Sequence, residues 1–220
     1  MALFMAVTAG WQIQTGAYKS EFGGHPDEAA HYVTGLMIRD YMVDGIPQHP
    51  MRFAENYYDH YPKVALGNWP PFFYVAQSAW TIPFGVSRSS LMIFMALLTA
   101  GTAFLLFNEI RKRTDLVTAH LAGIIYCSLP VVQKYASHVM TEALLALLAT
   151  LSICLYSRYA TSGQVRYSIA FGLVASCAIL TKGSGMFLAF VPIAVVLGCR
   201  RFELLKRPGF WAAAVIVVLL

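Results

Sequence analysis

Charged side chains are scarce in this chain of 220 residues, and their scarcity limits the class of protein it can be. Only 12% of the residues are charged and 58% are hydrophobic, whereas a soluble domain carries about 25% charged residues. Several apolar runs approach the ~20 residues that a helix needs to cross a bilayer. The composition therefore excludes an ordinary soluble domain and predicts an all-α, polytopic integral membrane protein. No nucleic-acid partner is indicated, because the basic residues behind the net charge of +5 are concentrated in short loops.

Cysteine is also sparse, and its spacing matches neither a metal motif nor a disulfide framework. We interpret the cysteines as packing residues of apolar segments. The four of them stand singly within or at the end of apolar runs: Cys127, Cys154, Cys177 and Cys199.

A cleavable leader is not predicted, because residues 1–17 form an apolar run without a basic flank or a small-residue cleavage site. We expect this run to be the first membrane span. Residues 209–220 form another apolar run, which stops within a span. Our interpretation is that the chain is the front part of a longer protein and that this part alone is catalytically inactive.

The distribution of basic residues predicts the topology. Alternate loops carry dense positive charge, which the positive-inside rule places in the cytoplasm. Working back from Arg111, residues 18–87 then form one extracytoplasmic loop, in which the short apolar segment 72–86 lies in the membrane interface. The predicted parts are a first span (1–17), this loop (18–87) and remaining spans (88–220). Within the last part, apolar runs predict spans at 89–109, 116–135, 143–158, 167–181 and 184–199.

The start of the loop holds the most prominent polar motif. Residues 18–63 contain seven of the eleven acidic residues of the chain. Pro26, Asp27 and Glu28 predict a helix start, since proline suits the first helical position and acidic side chains suit the first turn. His31 follows at a spacing that shares a helix face with either acid. Two interpretations are open here, ordinary helix-start chemistry and a catalytic acidic pair.

Two further polar features belong to the same predicted outer surface. Glu142 begins the span 143–158, either as a span-start acid behind Thr141 or as a functional carboxylate. Lys182 lies between two apolar runs and either snorkels to the interface or binds an anionic group. Gly183 and Gly185 beside it would let the backbone approach such a group closely.

A carboxylate, nearby cations and an interfacial loop together suit a substrate with a lipid tail and an anionic head. In glycosyl transfer from a polyprenyl-phosphate sugar, an ionised aspartate accepts the proton of the attacking hydroxyl. Lys63 and Lys182 are candidates for stabilising the leaving lipid phosphate. No cofactor is certain, but a divalent metal ion is an option. Its first candidate ligands are Asp27, His31 and Glu142, with His25 and Glu28 as further ones.

The order of four short motifs resembles a known family. They are Pro-Asp-Glu-Ala-Ala-His-Tyr (26–32), Tyr-Pro-Lys followed by Trp-Pro-Pro-Phe (61–72), Met-Thr-Glu-Ala-Leu (140–144) and Leu-Thr-Lys-Gly (180–183). This order is similar to the front half of GT-C-fold membrane glycosyltransferases of the protein O-mannosyltransferase and lipid A aminoarabinose transferase type. The resemblance covers essentially the whole chain. It implies a helical bundle with interfacial helices in its first external loop.

The resemblance also implies roles for individual residues. Asp27 corresponds to the catalytic aspartate, with Glu28 beside it in the catalytic pair. The second external acid corresponds to Glu142, and the two family lysines correspond to Lys63 and Lys182. His31, Tyr32 and Trp69 complete the predicted substrate-binding set. The chain departs from the aminoarabinose transferases at Ala30 and His31, where those enzymes have an arginine, so that particular substrate is not predicted.

The predicted function is therefore inverting transfer of a sugar from a polyprenyl-phosphate donor to an acceptor hydroxyl, with Asp27 as general base. The expected site is the outer face of a multi-pass membrane protein, in the bacterial inner or plasma membrane. The acceptor, whether glycan, lipid or protein, and the donor sugar stay open. The rival interpretations are a transporter or flippase for a lipid-linked or anionic solute, and a non-catalytic lipid-binding subunit. A transporter predicts ionisable residues at mid-span and repeat symmetry, and neither is seen in the sequence.

Overall fold

A computed structural model describes residues 1–46, 48–65 and 67–219, and within these residues the chain is helical and forms no β-strand. Pro47 and Leu66 of the predicted loop and Leu220 of the predicted last span lie outside the described residues. The all-α prediction is confirmed. The α-helices are α1 (Ala2–Gln14), α2 (Glu28–Asp40), α3 (Pro50–His60), α4 (Phe72–Phe84), α5 (Arg88–Arg111), α6 (Leu116–Ser128), α7 (Pro130–Ala136), α8 (Thr141–Ser162), α9 (Val165–Ile179), α10 (Phe190–Gly198) and α11 (Pro208–Leu219).

Among the described residues, two helices are long and apolar enough to cross a membrane, α5 and α8. A third crossing is available if α6 and α7 count as one broken span, since they meet at an angle of 63°. The sequence pattern predicted one continuous span at 116–135. Pro130 interrupts it, because proline lacks the amide hydrogen and forces the preceding Leu129 into an extended conformation, with ψ of 131°.

The chain divides into two compact units, Met1–Ala143 and Leu144–Leu220. In the first unit, a buried amide near the end of α1 joins three helix ends. Gln12 donates from Nε2 to the carbonyl oxygens of Met92 in α5 (3.0 Å) and Ala136 in α7 (2.7 Å). Its Oε1 accepts a hydrogen bond from the Tyr18 hydroxyl at 2.9 Å. The C-terminal ends of α1 and α7 and the N-terminal part of α5 therefore lie together.

The segment predicted to be interfacial is occupied by α4, which packs along α2. The contact is close because Gly35 has no side chain: a Cβ there would lie 2.2 Å from Nε2 of the fully buried Gln77. Gln77 donates to the Tyr32 carbonyl oxygen at 3.2 Å, and Ser78 donates to the Gly35 carbonyl oxygen at 3.0 Å. These bonds hold α2 against α4, the helix that leads directly to α5.

The remaining helix of the loop, α3, closes over the far end of α2. Met37, Ala54 and Val64 form the small buried core between them. The Tyr57 hydroxyl donates to Asp40 Oδ2 at 3.0 Å. Burial raises the pKa of Tyr57, and this hydrogen bond raises it further. The long loop is therefore a folded helical cap.

The second unit is formed by the rest of α8 with α9, α10 and α11. Tyr156 packs edge-on against Phe171 with ring centroids 4.9 Å apart, inside a buried apolar core. A 3₁₀ segment, Gly183–Ala189, precedes α10. It runs so close to the end of α9 that a Cβ on Gly185 would lie 2.6 Å from the Ala178 carbonyl oxygen. The close backbone approach that the sequence predicts at Gly185 is therefore an approach to the backbone at the end of α9.

We expect Gly185→Ala to destabilise the second unit by about 1–3 kcal/mol, the usual cost of overpacking a core. The reason is that the Ala178 carbonyl is part of a helix and cannot yield as a flexible side chain would. The measurement is the thermal unfolding temperature of the purified protein in detergent. Gly183→Ala is the matched control, since a Cβ there would have nothing within 4 Å. Equal unfolding temperatures for the two variants would contradict this packing role.

Candidate functional site

The acidic motif lies at the N-terminus of α2, although the helix begins later than the sequence indicates. Glu28 donates its amide to the His25 carbonyl oxygen (3.1 Å), so Pro26 and Asp27 belong to a turn before the helix. Asp27 is the N-cap, and its carbonyl oxygen accepts the His31 amide at 2.9 Å. Its side chain accepts no hydrogen bond from the described amides at the start of α2 and is 48% exposed. The capping interpretation therefore does not describe the Asp27 carboxylate.

His25 lies beside that carboxylate. The Asp27 amide donates to His25 Nδ1 at 3.3 Å, and the same nitrogen is 4.0 Å from Asp27 Oδ2. The Asp27 side chain therefore has a histidine on one side and is accessible from outside the protein on the other.

Glu28 has the opposite environment. Its side chain is fully buried, and its Oε1 lies 2.5 Å from a terminal nitrogen of Arg88. Oε1 also accepts the Val139 amide at 3.0 Å, and Oε2 accepts the Gly24 amide at 3.2 Å. This buried carboxylate has three donors, two backbone amides and the Arg88 guanidinium, which hold it in one orientation.

Arg88, at the N-terminus of α5, extends this network to further segments. Its Nε donates to the Ala17 carbonyl oxygen at 2.8 Å, and its second terminal nitrogen donates to the Ser137 carbonyl oxygen at 3.0 Å. Its guanidinium lies 5.0 Å from the centre of the Phe22 ring, which stacks on Tyr32 at 3.7 Å. The Glu28–Arg88 pair thus joins the loop after α1, the start of α2, the start of α5 and the α7–α8 turn.

Sequence reasoning missed Arg88, although a signal was present. A basic residue in the first turn of a helix is disfavoured by the helix dipole. Arg88 also begins a long apolar helix, where an unpaired charge is costly. An arginine in this position calls for a buried anionic partner, and Glu28 is that partner.

His138 approaches the same cluster from the α7–α8 turn. Its Nδ1 donates to the Lys134 carbonyl oxygen at 2.7 Å, which leaves Nε2 as the outward nitrogen. A Cβ on Gly24 would lie only 2.4 Å from that Nε2. A side chain at position 24 would therefore displace the His138 imidazole, which packs directly against the Gly24 backbone.

His31, Trp69 and Tyr74 form a cluster of aromatic side chains near Asp27. His31 is 2% exposed, its Nδ1 is 2.9 Å from the Tyr74 hydroxyl oxygen, and its ring centroid is 4.5 Å from that of Trp69. Burial raises the pKa of Tyr74, and the nearby Asp27 carboxylate adds to the effect. Tyr32, on the next position of α2, donates to the Val86 carbonyl oxygen at 3.1 Å. The structure thus brings Asp27, Glu28, His31, Tyr32 and Trp69 into one region.

The other predicted site residues are placed as follows. Lys63 is exposed at the edge of a cleft that Trp69 also lines. Glu142, in the first turn of α8, is half-buried and accepts a hydrogen bond from Thr141 at 3.2 Å. Lys182 is half-buried in the second unit, at the N-cap of its 3₁₀ segment. The described residues contain no group of three histidine, cysteine or acidic side chains arranged to hold a metal ion.

Together, the helices and the arrangement at the start of α2 describe an all-α polytopic membrane protein with an acidic site at one end of its long helices. The chain belongs to the dolichyl-phosphate-mannose-protein mannosyltransferase family, which its sequence matches over residues 68–220. No significant match was found among curated proteins or solved structures. Membership confirms the resemblance to GT-C glycosyltransferases. In general terms, the protein is a mannosyltransferase-like membrane glycosyltransferase, and its family implies a polyprenyl-phosphate-sugar donor.

We expect Arg88→Met to destabilise the protein by about 3–5 kcal/mol, because it leaves the Glu28 carboxylate buried without its cation. The free energy of unfolding in detergent micelles measures the effect. Lys112→Met is the control: the Lys112–Glu109 pair has side chains 50% and 36% exposed, and such surface pairs contribute less than about 1 kcal/mol. Similar losses in both variants would show that the Glu28–Arg88 pair has no special role.

Proposed function

We propose that the protein transfers mannose from a polyprenyl-phosphate donor to an acceptor hydroxyl at the extracytoplasmic face, with Asp27 as general base. The observation that carries this proposal is the contrast between two adjacent acids. Glu28 is buried and saturated with donors, whereas Asp27 is half-exposed and makes no capping bond. Glu28 is then a positioning residue, and Asp27 is the acid that meets substrate.

In the proposed reaction, the acceptor hydroxyl oxygen attacks the anomeric carbon of mannose. The new C–O bond forms as the bond from that carbon to the phosphate oxygen breaks, which inverts the anomeric centre. Asp27 takes the proton of the hydroxyl, and the lipid phosphate leaves with the bonding electrons. The fixed turn around Glu28 supports this step, because a base must stay within hydrogen-bond reach of the proton it removes.

The charge on the leaving phosphate has to be stabilised by cations or amide groups. Arg88 is unsuited to this task, because its Nε and both terminal nitrogens already donate within the protein. The proposal keeps Lys63, Glu142 and Lys182 as substrate-binding residues and assigns none of them to this phosphate. A divalent metal ion is not part of the mechanism proposed.

Helix α5 supports the extracytoplasmic orientation. Arg88 at its start joins the acidic site, and Arg111 is the last of its 24 residues. A helix of that length is about 36 Å long, enough to cross the bilayer. The dense basic loop that begins at Arg111 then lies on the opposite side from Asp27. If this loop is cytoplasmic, as the positive-inside rule predicts, Asp27 faces outward.

We expect Asp27→Asn to reduce the turnover rate by about 100-fold or more, the usual contribution of a general base. The substitution keeps size and removes the charge, so the fold and the thermal unfolding temperature should be retained. The assay follows labelled mannose from polyprenyl-phosphate mannose to cell-envelope acceptors, using the full-length gene product in membranes.

Asp59→Asn is the matched control for this assay, since Asp59 is an exposed acid of α3 in the same loop. Its transfer rate should equal that of the unsubstituted protein. Full activity in the Asp27→Asn variant would move the base elsewhere and reject the proposed mechanism.

A further inference from the structure

The folded first loop contains an open cleft of about 440 Å³ next to the acidic site. Four side chains contribute its aromatic and polar groups: the rings of Tyr58 and Trp69, the ammonium group of Lys63 and the amide of Asn68. We refer to these four residues and the space between them as the first-loop cleft. Its apolar floor includes Ala30, which lies three residues after Asp27 and so shares a helix face with it.

The position of the first-loop cleft separates it from the lipid. Its described lining residues come from α2, α3 and the segment between α3 and α4. None of the described lining residues belongs to α1 or to α5–α8. A donor whose sugar is tied to a polyprenyl chain in the bilayer would approach along those helices. The cleft therefore suits the second, water-side substrate of the transfer.

The side chains of the cleft indicate what that substrate is. Trp69 is held in place by His31, and Tyr58 is 45% exposed, so both present aromatic surface. Aromatic faces pack against the C–H faces of sugar rings, and an amide next to them can hydrogen-bond hydroxyl groups. Lys63 is exposed and has no ion-pair or hydrogen-bond partner among the described residues. An unpaired ammonium at a sugar-sized cleft favours an anionic group.

We propose that the first-loop cleft binds the acceptor and that the acceptor is a glycan carrying carboxylate or phosphate groups. This inference rests on the proposed function, because it takes Asp27 as the group that removes the acceptor's proton. Lys63 holds the anionic substituent, Tyr58 and Trp69 stack on sugar rings, and the reacting hydroxyl reaches past Ala30 to Asp27. Lys63 is thereby a specificity-determining residue for the acceptor.

Binding without turnover tests the proposal separately from catalysis. The full-length protein with Asp27→Asn, in lipid nanodiscs and without donor, is titrated with trigalacturonic acid, with neutral maltotriose and with a Ser/Thr-rich peptide. We expect trigalacturonic acid to bind most tightly and its affinity to fall with added salt. In the same background, Lys63→Gln should weaken it about threefold to fivefold and leave maltotriose unchanged.

Two further variants complete the test. Tyr58→Leu should weaken both oligosaccharides, and Lys19→Gln, at an exposed lysine outside the cleft, should weaken neither. Tightest binding of the peptide, or equal binding of trigalacturonic acid with and without Lys63→Gln, would overturn the proposal. Binding as expected, together with no mannose transfer by the unsubstituted full-length protein, would keep the glycan site and reject the proposed function instead.

Discussion

The structure of the first unit depends on one buried ion pair, Glu28–Arg88. Removing both charges from water costs several kcal/mol each, and the pair persists because both Glu28 oxygens and all three Arg88 nitrogens have partners. Glu28 accepts two backbone amides, and Arg88 donates to two backbone carbonyls. Together with these partners, the two side chains join four separate segments, so the pair determines where the segments meet more than it adds stability. It leaves Asp27, the preceding residue, half-exposed at the meeting point.

Much of the fold follows from the sequence alone. Low charge and long apolar runs identify an all-α membrane protein, and the runs around α5 and α8 are long enough to cross the bilayer. The short motifs, taken in order, identify the family. Helix boundaries were less accurate, because a local turn at His25 delays the start of α2 and Pro130 breaks an otherwise continuous apolar run.

The partners within the site could not be predicted in the same way. Glu28 and Arg88 are 60 residues apart in the chain, and no periodicity relates them. Gly24 and Gly35 also have roles that appear only in three dimensions, since each makes room for a distant side chain, His138 or Gln77. Adjacent Asp27 and Glu28 look equivalent in sequence, yet burial separates them, and burial depends on contacts that the folded chain alone creates.

The most direct test of the central role of the Glu28–Arg88 pair is a double-mutant cycle. The free energy of unfolding is measured in detergent micelles for Glu28→Gln, for Arg88→Met and for the variant with both changes. We expect a coupling energy of about 2–3 kcal/mol, because the second substitution removes a group that the first has already left unpaired. Losses that simply add would contradict it, since the two side chains would then contribute independently.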